Sequence, residues 1–101
     1  MSQSFSKYDE EYFTIAMDFS ANMLEGETIT VGSSSATAYD SSGTDVSATV
    51  LDTATLAVTD DTRLGVKVQN GTASESYVIR FKAYITADKY LREDVIMEIR
   101  S

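Results

Sequence analysis

The residues best suited to chemistry are carboxylates and hydroxyls clustered between apolar runs. Asp40 to Asp45, with the sequence DSSGTD, places oxygen ligands at alternating positions beside a glycine, as a calcium loop does. An EF-hand loop requires glycine at position six and glutamate at position twelve. Here Gly43 is fourth and Leu51 is twelfth. We therefore predict a turn, in which Asp40 caps the backbone and Gly43 takes a positive φ, and we expect no metal or cofactor. A weak calcium site at Asp40–Asp45 is the alternative that the sequence leaves open.

The other candidate catalytic groups lack the partners that they would need. Asp60 and Asp61 are adjacent, so on an extended chain their side chains point to opposite faces, and a solvated turn is the better interpretation. Serine is abundant, but the chain contains no histidine to activate a nucleophile. We predict that the protein is not an enzyme and assign no catalytic residue.

Two further features have a structural interpretation. Asn70-Gly71-Thr72 matches a glycosylation acceptor, but Asn-Gly between two alternating runs also predicts a tight hairpin turn, which we prefer in the absence of a secretion signal. Tyr77 opens the longest alternating run, after a turn rich in Ser and Glu. This position is typical of the corner tyrosine of β-sandwiches, whose hydroxyl bonds to nearby backbone.

Charge and composition limit the classes of partner. The 101-residue chain carries 8 basic and 16 acidic residues, a net charge of −8, which disfavours binding to nucleic acid. This charge either serves solubility alone or complements a basic partner. Cysteine is absent, so disulfides do not contribute to stability. The N-terminal residues do not resemble a signal peptide, and no apolar run approaches the ~20 residues that span a membrane.

Period-two alternation of apolar residues recurs along the whole chain and predicts an all-β protein. Turn-rich segments separate the runs at intervals typical of a sandwich, so we predict an immunoglobulin-like β-sandwich of about seven antiparallel strands. Residues 1–8 are expected to form a loose N-terminal arm, which Phe5 and Tyr8 could anchor, and residues 9–101 a single domain. The predicted strands are FTIAMDF, ETITV, SATAYD, VSATVL, ATLAV, RLGVKVQ, SYVIRFKAYIT and DVIMEIR.

The segment that follows the first long run has a different pattern. SANMLEGE predicts one short helical turn near residues 20–25, with Ser20 as its N-cap and Gly26 as the residue that ends it. Leu24 would pack beneath the sandwich, making the segment a bridge between the two sheets. The preceding strand would direct four side chains to the interior: Phe13, Ile15, Met17 and Phe19.

Three blocks of the sequence together resemble a family of small immunoglobulin-like structural proteins of tailed bacteriophages, often described as fibre–tail adaptor proteins. The blocks are FSKYDEEYFTIAMDFSANMLEGETI, ATAYDSSGTDVSATVL and LGVKVQNGTASESYVIRFKAYITADKYLREDVIMEIR, which cover nearly the full chain. In the family a glycine follows the Gly-Thr turn, where this chain has Ser74. The resemblance implies a non-catalytic virion component that binds other phage proteins, forms a possible homo-oligomer, and is found in the virion or, during assembly, in the host cytoplasm.

A second interpretation is a carbohydrate-binding or adhesin-type module of the same fold class. Such modules display rows of exposed aromatic side chains, and Tyr39, Tyr84 and Tyr90 are the candidates in this chain. The lack of a signal peptide favours the phage structural protein over the module, and the sequence does not identify the partner, the oligomeric state or the face that binds the partner.

Overall fold

A computed structural model describes residues 3–101, in which seven strands form two packed sheets. This arrangement confirms the predicted all-β sandwich. Three short helical turns connect the strands: 3₁₀ turns at Ser20–Asn22 and Val31–Ser33, and α1 at Ser47–Val50. The strands are β1 (Gln3–Tyr8), β2 (Phe13–Asp18), β3 (Ser35–Tyr39), β4 (Leu51–Thr59), β5 (Arg63–Val68), β6 (Ser76–Thr86) and β7 (Lys89–Arg100).

The strand order is that of an immunoglobulin-like sandwich. One sheet has the order β2-β5-β4 and the other β1-β7-β6-β3. The second, fifth and fourth strands correspond to strands B, E and D of an immunoglobulin domain, and the third, sixth and seventh to C, F and G. All described pairs are antiparallel except β1 with β7, which is parallel, so the expectation of antiparallel strands throughout was wrong for this pair.

The N-terminal residues form a strand, so the prediction of a loose arm over residues 1–8 was wrong for residues 3–8. Residues 1 and 2 lie outside the described part of the chain. Gln3–Tyr8 pairs along its whole length with Val95–Arg100 of β7. The half-buried Phe5 packs against the core, and Lys7 is buried. Phe5 and Lys7 both face inward on β1, but a lysine normally indicates a solvent-exposed position. The apolar alternation that predicts a strand is therefore missing from this part of the sequence.

The buried Lys7 fixes one end of the sandwich. Only 1% of the residue is exposed, and its ammonium group donates to the carbonyl oxygens of Tyr8 at 2.8 Å, Asp9 at 3.4 Å and Asn70 at 2.6 Å. These bonds connect β1 to the loop that follows β5. Burial lowers the pKa of the Lys7 ammonium below its ordinary value, while the Asp9 and Glu11 carboxylates oppose this shift.

The core lies between the sheets, where the alternating runs direct their apolar side chains. Every predicted inward residue of β5, β6 and the second half of β7 is buried. Met17 in β2 and Phe19 just after it are buried as predicted, and Ile15 is half-buried. Phe13 at the rim is 37% exposed and packs edge-on against Phe5, with ring centroids 5.9 Å apart. The largest fully buried apolar side chains are Phe81, Leu51, Leu64, Ile79, Met97, Val50, Val66 and Val68.

The segment after β2 connects the two sheets, as predicted, but differs in detail. A helical turn does form at Ser20–Asn22, yet Ser20 is not its N-cap, because Phe19 occupies that position and the Asp18 carboxylate accepts the Ser20 N–H at 2.9 Å. Gly26, at φ +87°, belongs to a separate turn in which the Glu27 N–H bonds to the Leu24 carbonyl. Leu24 is 71% exposed and does not pack beneath the sandwich.

Two predicted strands do not form as expected. ETITV is irregular and ends in the 3₁₀ turn Val31–Ser33, although Ile29 is buried and its N–H bonds to the Asp61 carbonyl. VSATVL is mostly the helical turn α1, and only its last residue, Leu51, belongs to β4. Ile29 and Val50 reach the core without ladder pairing, whereas Val31 is 43% exposed, so apolar content alone predicted strands that the backbone does not make.

Candidate partner-binding face

The outer face of the four-stranded sheet combines aromatic and positively charged side chains. Because side chains alternate along a strand, the buried residues of β6 and β7 leave every second position facing outward. Near the β6–β7 turn these outward positions are tyrosine, lysine and arginine together with Asp94, whereas Val78, Ile96 and Glu98 follow toward the other end of the strands. The tyrosine–cation face consists of Tyr39, Arg80, Lys82, Tyr84, Tyr90 and Arg92.

A stacked aromatic pair lies at one end of this face. Tyr84 and Tyr90 are directly opposite each other in the β6–β7 ladder, and their rings stack with centroids 5.0 Å apart and planes 26° from parallel. The Lys82 ammonium lies 5.6 Å from the centroid of the Tyr90 ring. Such contacts hold the ring in place while 49% of Tyr90 remains exposed, so the face offers a large, ordered aromatic surface to solvent.

An ion-pair network occupies the middle of the face. Arg80 and Arg92 share Asp94, with nitrogen–oxygen distances of 3.2 Å and 3.1 Å. Burial raises the pKa of Asp94, but hydrogen bonds from Arg92 and Arg80 outweigh this effect and hold the pKa below its ordinary value. The Arg80 guanidinium also lies over the Tyr39 ring, 5.1 Å from its centroid. The network fixes two guanidinium groups in defined orientations.

Two positive charges face each other across the β6–β7 ladder. Lys82 is directly opposite Arg92, and like charges at such positions destabilise a sheet. Asp94 compensates Arg92, whereas Lys82 forms no ion pair with any carboxylate in residues 3–101. Three cations and one carboxylate leave the face positive, on a chain whose net charge is −8. This local excess of positive charge is suited to an anionic partner.

The structure brings the three predicted tyrosines onto one face but not into one cluster. Tyr84 and Tyr90 stack, whereas Tyr39 pairs with Val78, six positions along β6 from Tyr84 and therefore roughly 20 Å away. Sequence reasoning did not assign a role to Arg80, Lys82 and Arg92. Alternation in SYVIRFKAYIT placed Arg80, Lys82 and Tyr84 on the outer side, and only the register of β7 shows that Arg92 joins them.

The Asp40–Asp45 segment is a turn, as predicted. The Asp40 carboxylate accepts the N–H groups of Ser42 and Thr44, each at 2.9 Å, and Gly43 has φ +81°. Asp45 accepts bonds from the Ser47 hydroxyl and N–H, which lower the pKa of its carboxyl. Within residues 3–101, no group of three or more acidic side chains is arranged to hold a metal ion.

Asp60 and Asp61 form the turn between β4 and β5, as predicted. Both residues have positive φ, 53° and 62°, a conformation that aspartate tolerates better than most residues do. Asp60 lies 3.8 Å from Arg63, and both side chains are largely exposed. The two aspartates therefore have a structural role in the tight, exposed turn between β4 and β5.

Asn70 and Gly71 form a turn with positive φ at both residues, 49° and 99°. The connection from β5 to β6 passes from one sheet to the other, so the prediction of a hairpin here was wrong. The corner-tyrosine interpretation of Tyr77 is confirmed, because its hydroxyl accepts the N–H of Thr72 at 3.0 Å while the ring is buried. The Asn-Gly signal identified a turn but could not show which sheet the next strand joins.

Comparisons with known proteins do not assign this chain to a family. No model of a known protein family matches the sequence, and searches of curated proteins and of solved structures found no match. Among residues 3–101, no helix has the length and apolar character needed to cross a membrane. The chain's own geometry and the resemblance of its three sequence blocks to phage structural proteins are the observations that bear on its function.

Proposed function

We propose that this chain is a non-catalytic structural protein of a bacteriophage or prophage, which binds other virion components of the tail, fibre or head region. The tyrosine–cation face is the observation that supports this proposal best. Tyrosine and arginine are enriched at the centres of protein interfaces, where they supply rigid contact area together with hydrogen-bond donors. The bacteriophage part of the proposal comes from the resemblance of the three sequence blocks to phage structural proteins.

The ordering of the face favours binding over simple solvation. Stacking of Tyr84 on Tyr90 and the two bonds to Asp94 restrict side chains that are mobile on most surfaces. Side chains that are already ordered lose less conformational entropy when a partner binds. The face would thus contribute both area and specificity in an assembly where each subunit repeats the same contact.

Mass spectrometry of purified phage particles tests this function. We expect the chain to co-purify with particles through a density gradient, and the variant Lys82→Glu/Arg92→Gln to fold but to be lost from them. A matched control, Arg63→Glu/Thr53→Glu, makes the same change in net charge at exposed positions of the other sheet and should be incorporated normally. Absence of the wild-type chain from particles would refute the proposal.

A carbohydrate-binding or adhesin-type module is the second candidate, and the stacked Tyr84–Tyr90 pair is the observation that favours it. Sugar rings bind on exposed aromatic faces, and 49% of Tyr90 is exposed. A glycan array distinguishes the candidates: reproducible binding that is abolished by Tyr84→Ala and by Tyr90→Ala would support the module. Binding that is unaffected by both substitutions, or no binding, would exclude this face as a sugar site.

A further inference from the structure

We propose that the tyrosine–cation face binds the acidic β1–β2 turn of a second copy of this chain, so that copies associate head to tail. The turn comprises Asp9, Glu10 and Glu11, the only run of three consecutive acidic residues in the sequence. This inference rests on the proposed structural role and specifies one contact in it: a salt-bridged contact between identical subunits.

The receiving site lies between Lys82 and Arg92. These side chains are directly opposite each other. Among the described residues, the Lys82 ammonium makes a cation–π contact with the Tyr90 ring but no ion pair with a carboxylate. A carboxylate placed between the two cations relieves their mutual repulsion and forms charge-assisted hydrogen bonds with both. The neighbouring Tyr90 ring provides apolar contact area next to the charges. The site therefore combines an anion position with an aromatic surface.

The acidic turn has a defined structure that presents two carboxylates. The Glu11 N–H bonds to the Tyr8 carbonyl at 3.1 Å, and the Tyr8 N–H bonds to the Glu11 carboxylate at 2.7 Å. The buried Lys7 ammonium holds the Asp9 carbonyl at 3.4 Å. The Glu11 carboxylate is therefore occupied by a hydrogen bond within the turn. The exposed side chains of Asp9 and Glu10 form no hydrogen bond or ion pair within residues 3–101. A turn that is rigid before binding loses little entropy when it docks.

Aromatic residues flank both sides of this contact. Tyr8 and Tyr12, on either side of the acidic turn, are 46% and 57% exposed. Each already has a cation over its ring: Arg100 lies 5.8 Å from Tyr8 and Lys67 lies 5.7 Å from Tyr12. The turn therefore forms an acidic tip that is flanked by the rings of Tyr8 and Tyr12. The receiving face is positively charged and has the Tyr90 ring at its edge. The two surfaces are complementary in charge and similar in aromatic content.

The two surfaces are too far apart to meet within one molecule. Tyr8 pairs with Arg100, and Arg92 lies eight positions earlier on β7, so roughly 26 Å of strand separates the turn from the face. Contact between them must join different copies. Because the two surfaces differ, the interface is heterologous, and repetition of such a contact generates a ring or a filament rather than a closed dimer.

Net charge sets the conditions under which this contact forms. Two chains of net charge −8 repel each other at low ionic strength. At about 0.15 M salt the Debye length is about 8 Å, which screens the long-range repulsion more than the contact ion pairs. At about 1 M salt the Debye length is about 3 Å, and the contact pairs weaken as well. Association should therefore be strongest at intermediate salt.

Nuclear magnetic resonance of the full chain, titrated to about 1 mM, provides the first test, because such concentrations populate even contacts of small area. We expect backbone signals of Asp9, Glu10, Lys82 and Arg92 to shift together with concentration at 0.15 M salt, while signals of β4 remain fixed. The absence of concentration-dependent shifts at either surface would overturn the proposal. Shifts confined to the edge strand β2 would also overturn it, since they would indicate strand-edge pairing instead.

Mixing two variants provides the decisive test. Lys82→Glu/Arg92→Gln removes the receiving site, and Asp9→Asn/Glu10→Lys removes the acidic tip while retaining Glu11. Each variant alone should be monomeric in sedimentation experiments, and an equimolar mixture should form a one-to-one dimer that does not grow. Arg63→Glu/Thr53→Glu, which makes the same change in net charge at exposed positions of the other sheet, should self-associate like the wild-type chain. A mixture that stays monomeric, or a single variant that still assembles, would contradict head-to-tail binding.

Conservative substitutions guard against loss of folding. If a double variant melts at a markedly lower temperature, Lys82→Gln and Glu10→Gln replace it, and each should weaken self-association at least three-fold without changing the melting curve. Failure here is separable from failure of the proposed function. A wild-type chain that remains monomeric but enters particles through the tyrosine–cation face would refute self-association and leave the virion role standing.

Discussion

Gly71 offers the sharpest test of the packing at the end of the sandwich where Lys7 is buried. A Cβ atom at this position would lie 2.8 Å from Ile99 Cδ1 and 2.9 Å from Ile99 Cγ1, and the residue has φ +99°. Ile99 is itself buried in β7. Gly71→Ala therefore combines a strained backbone with a steric clash against the core. Gly43→Ala serves as the matched control, because Gly43 also has a positive φ, +81°, but nothing lies within 4 Å of its Cβ position.

The magnitudes separate the two effects. A left-handed conformation costs a residue with a Cβ atom about 1–2 kcal/mol, and the lower entropy of the unfolded alanine chain offsets about 0.4–1 kcal/mol of this cost. We expect Gly43→Ala to lower the free energy of unfolding by about 1 kcal/mol. Overpacking adds about 1–3 kcal/mol, so Gly71→Ala should cost about 2–4 kcal/mol. For a domain of this size, each kcal/mol shifts the melting temperature by about 4–8 °C.

Guanidinium chloride denaturation, with both variants measured beside the wild type, gives the comparison directly. The midpoints should fall while the m-value stays constant, which reports stability rather than a change in the unfolded state. The double variant Gly71→Ala/Ile99→Val removes the nearest clashing methyl group. The Ile99→Val change should therefore cost less in the Gly71→Ala background than alone. Equal costs for Gly71→Ala and Gly43→Ala would refute the steric argument.

Substitutions at three further positions probe the strained turn, the corner tyrosine and the buried lysine. Ser74 has φ +71°, so Ser74→Gly should raise the free energy of unfolding by about 0.5–1 kcal/mol, whereas Ser74→Ala should not; equal denaturation midpoints would contradict this. Tyr77→Phe removes the hydroxyl that accepts the Thr72 N–H and should cost about 0.5–1.5 kcal/mol at an unchanged m-value. Burial lowers the pKa of Lys7 in the folded state, so between this pKa and the ordinary value of 10.5 the unfolded state binds the proton more readily than the folded state does. The free energy of unfolding should therefore rise as pH increases through this range. Denaturation midpoints measured across the alkaline range should show this rise for the wild type relative to Lys7→Met, and parallel profiles would exclude it.

The fold was predictable where alternation coincides with ladder pairing. The runs of β5, β6 and β7 bury every second side chain, and the pattern of the sequence is sufficient to identify them. It failed in VSATVL, where the apolar Val50 reaches the core from a helical turn, because burial of one side chain does not require a strand. It also failed at β1, whose inward lysine finds three carbonyl partners that only the folded chain provides.

The candidate face was predictable only in part. Alternation places Arg80, Lys82 and Tyr84 outward on a single strand, and that much follows from the sequence. The pairing of Lys82 with Arg92 depends on the register of the β6–β7 hairpin, which includes an irregularity between Tyr84 and Thr86. A shift of one residue would turn the basic side chains of β7 toward the core, so the charge pattern of the face is a property of the register rather than of either strand.

The parallel pairing of β1 with β7 also sets the order in which the chain can complete its fold. Gln3 pairs with Val95, which is 92 positions later, so β1 leaves the ribosome well before its partner β7 has been made. Closing so long a loop is slow, and contacts of this separation generally form late. Until then the Phe5 side chain and the edge of β7 that later pairs with β1 remain exposed and can pair with other chains. In a cell that makes many copies at once, the interval before closure is when two unfinished molecules are most able to exchange their N-terminal strands.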